Sequence, residues 1–428
     1  ILNETTKAYL GKDTQVNGSN GSAGSGQDVN QLASDQTNII GIAGGLSAGG
    51  TVGVGAAADI AVVTKVTDAY IAKESVVKAT QDILVQAESD EKFVSVSASL
   101  GVGGTVGIAG SAGALVINNT TKAHIDGGNT ASKGADVHAA GNVVVSAVNN
   151  TEVDGVSGNV TASGTVSVGA AAVVTVVTKN TEAFIGENAK VIADATTNSA
   201  TVYSGDFDVT FGTDSSNEDF PTADNDGKLS GLNIEVGAPA PANMDVNEDG
   251  NNDLGDDSFT KQRSTAPVTR TLKGLAVTAI NTDDIETIGA SGGASGSVAV
   301  NVGGSVNVMN STTNAYIDQD AQINTDQTDA STEQEVLVAA GNDYSHLGVA
   351  AVVSLSGVAA VAPGADVAVV NNSTKAYIED GADVHATDDV RVEAVSKQDV
   401  LAIAAGAAAS GSVAVSGAVA VVVIENET

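Results

Sequence analysis

The sequence has no cysteine and no tryptophan in 428 residues, aromatic residues make up only 3%, and 18 Lys and Arg stand against 52 Asp and Glu. Without cysteine there is no disulfide framework and no thiol nucleophile, and the redox compartment cannot be read. A formal charge of −34 with a pI near 4.1 argues against nucleic acid or an anionic membrane surface as partner, since both call for a basic face. Divalent cations are the natural counter-charge. No nucleophile elbow, phosphate loop or zinc-type cluster is written anywhere. The first residue is Ile1, with neither Met nor a signal peptide ahead of it, which suits a processed protein or a piece of a longer one.

What is present is repetition. Short boxes recur as Lys7-Ala8-Tyr9-Leu10, Asp68-Ala69-Tyr70-Ile71, Lys122-Ala123-His124-Ile125, Glu182-Ala183-Phe184-Ile185, Asn314-Ala315-Tyr316-Ile317 and Lys375-Ala376-Tyr377-Ile378. Their alanines are 61, 54, 60, 132 and 61 residues apart, so the unit is 54 to 61 residues and the long interval holds one unit plus an insertion of about 70. Each unit reads as an Asn/Thr turn, the Ala-aromatic box, an Ala-x-Val element such as Ala189-Lys190-Val191, an alternating strand such as Asp82–Ala87, and a Gly-rich apolar run such as Gly411–Ile424. The alternation has period two, and helix-period stripes are hard to find.

Hydrophobic residues at 42% and a mean hydropathy of +0.10 are enough to bury a core, and the scarcity of rings predicts a thin interior of Val, Ile and Ala. The expected fold is all-β: a β-solenoid, a parallel β-helix expected to be right-handed, over residues 1–203 and 271–428, with an acidic insertion at 204–270. A coil of roughly twenty to thirty residues would place two or three coils in each unit. Asn118, Asn119, Asn371 and Asn372 are expected at corners, either as left-handed turn residues or as a stacked ladder.

The uncharged run Val400–Ile424 is long enough for a transmembrane helix. Its glycines and β-branched residues favour strand instead, and a transmembrane barrel would need aromatic girdles that are missing; no membrane span is expected. In Ala170–Val177 and Ala418–Ile424 both strand faces are apolar, which predicts that an outer stripe is covered by another element or a neighbouring chain.

The insertion holds four of the five prolines, and from Asp206 to Arg263 it carries 14 acidic against 3 basic residues, a net −11. Within it, Asp245, Asn247, Asp249, Asp253 and Asp256 fall at positions 1, 3, 5, 9 and 12 of a loop with Gly250 at position 6, the spacing that wraps oxygens around Ca²⁺; Asn251 would offer its backbone carbonyl. With Asp rather than Glu at position 12, the stretch resembles the calcium loops of dockerin and thrombospondin-type repeats. A solvated acidic linker is the plainer alternative. Of the four histidines, His138 and His385 share one repeat position, which favours outward strand sites over catalysis, and His124 takes a slot that elsewhere holds Tyr or Phe.

The units, Asn-x-Thr-x-Ala-Tyr-Ile followed by Ala-x-Val, Asp-Val-x-Val-x-Ala and a Gly-Ala-Val-rich run, resemble the repeats of large secreted bacterial adhesins, the filamentous haemagglutinin-like and leukotoxin-type filamentous proteins. The resemblance covers nearly all of the chain outside the insertion, and it implies an extended β-helix, secreted to the cell surface or beyond. The expected function is therefore a non-enzymatic fibre subunit or segment. The first and last five residues, Ile1–Thr5 and Ile424–Thr428, match at four of five positions, which suggests either a fragment of a longer array or copies stacked head to tail. Two alternatives stand: an adhesin shaft that binds a cell-surface receptor or glycan, and a polysaccharide-active β-helix enzyme, which would need several carboxylates and Arg or Lys in one cleft.

Overall fold

The protein, described by a computed structural model over residues 1–18, 23–130, 132–211 and 263–428, is all strand in its regular structure. One full turn of the chain contains a strand of about twenty residues, a very short strand, and a second long strand. The chain opens with β1 (Leu2–Leu10), β2 (Gln15–Val16) and β3 (Val29–Gly49), then repeats as β4 (Val52–Ile71), β5 (Val76–Ala79) and β6 (Ile83–Gly103), and as β7 (Val106–Ile125), β8 (Asp136–Ala139) and β9 (Val143–Ser163). The fourth turn runs through β10 (Val166–Ile185) and β11 (Lys190–Ala193), leaves the stack by β12 (Ala200–Phe211), returns by β13 (Arg263–Leu272) and closes with β14 (Gly274–Ser295). Then come β15 (Val298–Ile317), β16 (Gln322–Ile323) and β17 (Glu335–Ser356), followed by β18 (Ala359–Ile378), β19 (Asp383–Val384) and β20 (Val390–Ser410), and last β21 (Val413–Glu427).

Three parallel sheets result. The first face is β1-β4-β7-β10-β15-β18-β21, the short face is β2-β5-β8-β11-β16-β19, and the second face is β3-β6-β9-β14-β17-β20. Pairing is residue for residue: Val52 lies beside Val106, Val106 beside Val166, Val166 beside Val298, and Val298 beside Ala359. The parallel β-solenoid expected from the repeats is thus observed, but one unit closes one coil rather than two or three. At ~3.3 Å per residue and ~4.8 Å between strands, each coil is about 65 Å broad and the seven strands of the first face rise only about 30 Å. The chain is a broad plate; coils of twenty to thirty residues would have made a rod two to three times as long along its axis.

The long strand is also why the Asn/Thr positions are not corners. β7 runs unbroken through Asn118 and Asn119, and β18 through Asn371 and Asn372. From Ala114 to Ile125 and from Ala365 to Ile378 there is no Gly or Pro, so the ladder of backbone hydrogen bonds continues past the asparagines and the side chains alternate. Asn119 and Asn372 point inward and are buried, while Asn371 donates from Nδ2 to Asn310 Oδ1 at 2.9 Å on the neighbouring coil. Neither reading of these asparagines is met: they lie within strands, and although Asn371 pairs with Asn310, the coil neighbours of Asn118 are Thr64 and Thr178 and those of Asn119 are Lys65 and Lys179, so no continuous asparagine ladder forms. The real corner between the first and short faces is held by residues in the left-handed region at one shared coil position: Asp13, Glu74, Asn188, Asp320 and Gly381. Four of these are the residue types that tolerate that region best, and Glu74 is the exception.

The interior is layered across each coil. At the head, beside the short face, Ile71, Ile125, Ile185 and Ile317 stack on one another and pack with Val77, Val137, Val85 and Val145 in a dry cluster. Burying each such side chain contributes about 1.5–3 kcal/mol. Next comes a polar belt. Lys65 Nζ, fully buried, meets Asp35 Oδ1 at 2.5 Å and Glu91 Oε1 at 2.8 Å. Two coils on, Lys179 Nζ meets Asp283 Oδ1 at 2.7 Å. Beyond the belt lies a second apolar group with Phe93, Ile117, Val177, Met309 and Tyr344. From there to the turn that joins the two long sheets, the coil narrows to a fin in which the sheets touch backbone to backbone. A Cβ on Gly53 would lie 1.9 Å from the carbonyl oxygen of Val102, so only glycine fits. The glycine-rich runs are the inner lining of this fin.

Candidate functional surfaces

Three outward features carry chemistry. The first is built by the box residues. Position two of every box points inward as alanine, so position three points out, and parallel register sets the six rings above one another at the strand spacing. Tyr9, Tyr70, His124, Phe184, Tyr316 and Tyr377 form one continuous stack with centroids 4.6–5.0 Å apart and planes within 8°. His124 occupies the ring slot because it is planar and of similar size, and it adds two hydrogen bonds: Nδ1 to Asp126 Oδ1 at 2.8 Å and Nε2 to Asp68 Oδ1 at 3.0 Å. Burial works to lower its pKa, but the two carboxylates outweigh burial and raise it. Burial likewise works to raise the Asp68 pKa, and the bonds from His124 and Lys7 pull it down instead. The clamp favours the imidazolium, set between two aromatic faces.

The second feature lies on the outside of the second face. The antiparallel pair β12–β13 packs there, with Val202 and Leu272 against Leu84, Val144 and Leu337, and Tyr203 and Phe207 against Val148 and Ile280. Beside it the outward positions are acidic, and burial is the leading cause of each shift: Asp90 and Asp154 are each pushed up to about 6, and Glu152 to about 8 despite Lys92 Nζ at 3.1 Å. Among the described residues no group of three or more His, Asp or Glu is gathered as a metal site.

The third feature is the outer surface of the fin. The runs that were expected to be covered on both sides are exposed: Val174 is 38% and Val419 57% accessible, with Ile108, Val168 and Val302 beside them. The physical reason is that the fin has only two layers. Its inner positions are filled by the opposite sheet, and none of the described elements lies over the outer positions of the first face.

The candidate calcium ligands Asp245, Asn247, Asp249, Asn251, Asp253 and Asp256 lie outside the described residues. The histidines divide as their repeat positions suggested. His138 and His385 sit at equivalent outward positions, bonded through Nε2 to Asp194 at 2.7 Å and Asp383 at 2.8 Å. His346 is buried, with Nδ1 donating to the Ile285 carbonyl at 2.8 Å, and burial lowers its pKa to about 4. Val400–Ile424 falls on β20 and β21, and no helix of the described residues is long and apolar enough to cross a membrane. The matching ends are one residue out of phase: through the coil register Leu2, not Ile1, is equivalent to Ile424, by way of Val63, Ile117, Val177, Met309 and Val370. Comparison with family models, with curated proteins and with solved structures finds no match to this chain.

Proposed function

We propose that the chain is a non-enzymatic structural segment of an extracellular or cell-surface fibre, a stack of wide coils that resists bending and offers flat faces to neighbours. The observation that carries this reading is the coil-to-coil register of both long faces, which runs residue for residue from coil to coil and lapses on the first face between Val300 and Gly303, beside Pro363. Such a stack bears load through backbone hydrogen bonds in parallel, and its ladders suit support rather than turnover. Leu2 and Ile424 occupy the same coil position, and β1 and β21 overlap over Leu2–Thr5 and Ile424–Glu427, so a second copy set on the end of the stack would meet it in the register the described coils keep. The head-to-tail partner is therefore proposed with this register.

An adhesin shaft uses the same fold, and the β12–β13 excursion leaving a single coil favours keeping that second reading, since a recognition element set on a regular stack has this form. Calcium enters as a structural ion at the Asp245–Asp256 loop, an assignment that rests on the loop's oxygen spacing. Electron microscopy of the purified chain, with calcium and again with chelator, tests the whole. Ribbons or filaments with the coil spacing support the fibre, and their loss on chelation ties the loop to assembly. Isolated plates that bind glycans or cells favour the adhesin, and depolymerisation of a polysaccharide by the purified chain would overturn both.

A further inference from the structure

On the first face, the outward residues of the fin form a lattice of six strands by six positions, from Val52 to Val62 on β4 and the equivalents on β7, β10, β15, β18 and β21. Every one is Val, Ile, Ala or Gly, apart from Pro363, and none is buried. The lattice therefore presents no side-chain donor, acceptor or charge. Eleven residues at ~3.3 Å by six strands at ~4.8 Å make about 1,000 Å² of flat apolar surface, where a monomer's largest exposed patch is typically ~300–600 Å². A polar rim closes it on the head side, with Thr64, Asn118, Thr178, Asn310, Asn371 and the charged Glu425 at the next outward position.

We infer that this face seats a second copy of the chain, face to face about a two-fold axis. The inference rests on the fibre reading and names its lateral contact. Four observations choose the occupant. Two such faces together bury about 2,000 Å², at or above the ~1,600 Å² of a standard stable interface. The rows of Val, Ala and Gly repeat at the strand spacing, so the surface whose ridges match them over that whole area is the same lattice, as in a dry sheet-to-sheet zipper. The net charge of −34 would hold copies apart, yet no charged side chain falls in the lattice, so pairing leaves all of them in water. A bilayer is disfavoured because the lattice has no Tyr or Trp at its margins to lie at the lipid interface. The second face carries the smaller apolar lattice: Asp154 and Glu286 take two places of its outward column nearest the head, four apolar columns lie between that column and the turn, and the β12–β13 pair rises from its head half.

The test is sedimentation of the full chain from low to high micromolar concentration, beside Val168→Lys/Val302→Lys on the first face and Val160→Lys/Val353→Lys on the second. All four valines are 38–56% exposed, so none of these changes has to be buried in the monomer, and circular dichroism checks that each variant folds. The wild type and the second-face variant should form dimers or laterally paired ribbons, and the first-face variant should dissociate with a Kd raised by about a hundredfold or more, because its ammonium groups would be buried unpaired. A wild type of single width at every concentration, with its coils intact in micrographs, overturns the pairing and leaves the fibre reading standing. Loss of association in the second-face variant alone also overturns it. So does flotation of the wild type with phosphatidylcholine vesicles that is lost in the first-face variant, which would give the lattice to lipid. Polysaccharide cleavage would remove the fibre reading without touching the pairing.

Discussion

Gly101 and Ile108 face each other across the fin with no room for a side chain: a Cβ on Gly101 would lie 1.9 Å from the carbonyl oxygen of Ile108. Backbone cannot rotate away as a side chain can, so Gly101→Ala must push two hydrogen-bonded sheets apart. We expect a loss of about 3 kcal/mol, at the upper end of overpacking costs. Gly110, on the outer side of the first face that carries Ile108, has nothing within 4 Å of its would-be Cβ. Gly110→Ala should be neutral or stabilise by about 0.5 kcal/mol, because it restricts the unfolded chain. Denaturant unfolding of the two variants measures both, and equal effects would contradict the fin geometry.

Lys65 bridges two inward carboxylates, Asp35 and Glu91, in the polar belt. Burial works to lower its pKa, but the two acids outweigh burial and keep the ammonium charged. Lys65→Met leaves both acids buried together without a cation and should cost about 3–5 kcal/mol. Adding Asp35→Asn and Glu91→Gln to Lys65→Met should recover most of that loss. Thermal melts of the single and triple variants read this, and a triple variant no more stable than the single one would mean that the belt is held by packing alone.

Stability should fall as pH rises through the neutral range. The folded pKa of Glu152 is about 8 and that of Asp154 about 6, both above the usual carboxylate values near 4. The fold therefore holds protons that the unfolded chain has released, and the stability they confer is present at low pH and lost as pH rises through those values. The raised His124 acts in the same direction and gives up its contribution above its folded pKa. His346, held neutral with its pKa lowered to about 4, works the opposite way on the acid side, as does the depressed Asp68. Glu152→Gln isolates one group: it should stabilise the protein at pH 9 by on the order of 2 kcal/mol and have little effect at pH 5. His124→Phe should keep the ring stack and flatten the slope near neutrality. Melting curves over this range check the sign, and a Glu152→Gln variant that gains nothing at alkaline pH would refute the burial of that acid.

Calcium should bind at the insertion and not on the stack. Titration calorimetry should show a calcium isotherm that disappears in Asp245→Ala/Asp249→Ala, while the coil's melting midpoint without calcium is unchanged. An isotherm that survives this double change would move the site elsewhere.

The repeat and the parallel stack were legible because one residue type recurs at one spacing, whereas the inward turn of each box alanine shows only in the stack. Coil length was not. Strands of twenty residues are far beyond the usual five or six, and the polar residues Lys65, Asn119 and Lys179 fall where a shorter strand would turn. Their partners, Asp35, Asn149 and Asp283, lie on the opposite sheet some thirty residues away or, for Asp283, beyond the insertion. A local pattern of alternation cannot show such pairing. The aromatic box was visible as a motif, but its stacking required knowing that the coil and the repeat are the same length. The apolar outer run was read correctly as having two apolar faces, though the thinness of the fin, set by glycines on both strands, was not apparent.

The central claim is that one repeat closes one coil. Cryo-electron microscopy of the purified chain tests it most directly. The account predicts a plate with strands about 65 Å long and layers ~4.8 Å apart rising about 30 Å in total. A slender rod with two or three coils per repeat and a correspondingly longer axis would contradict it.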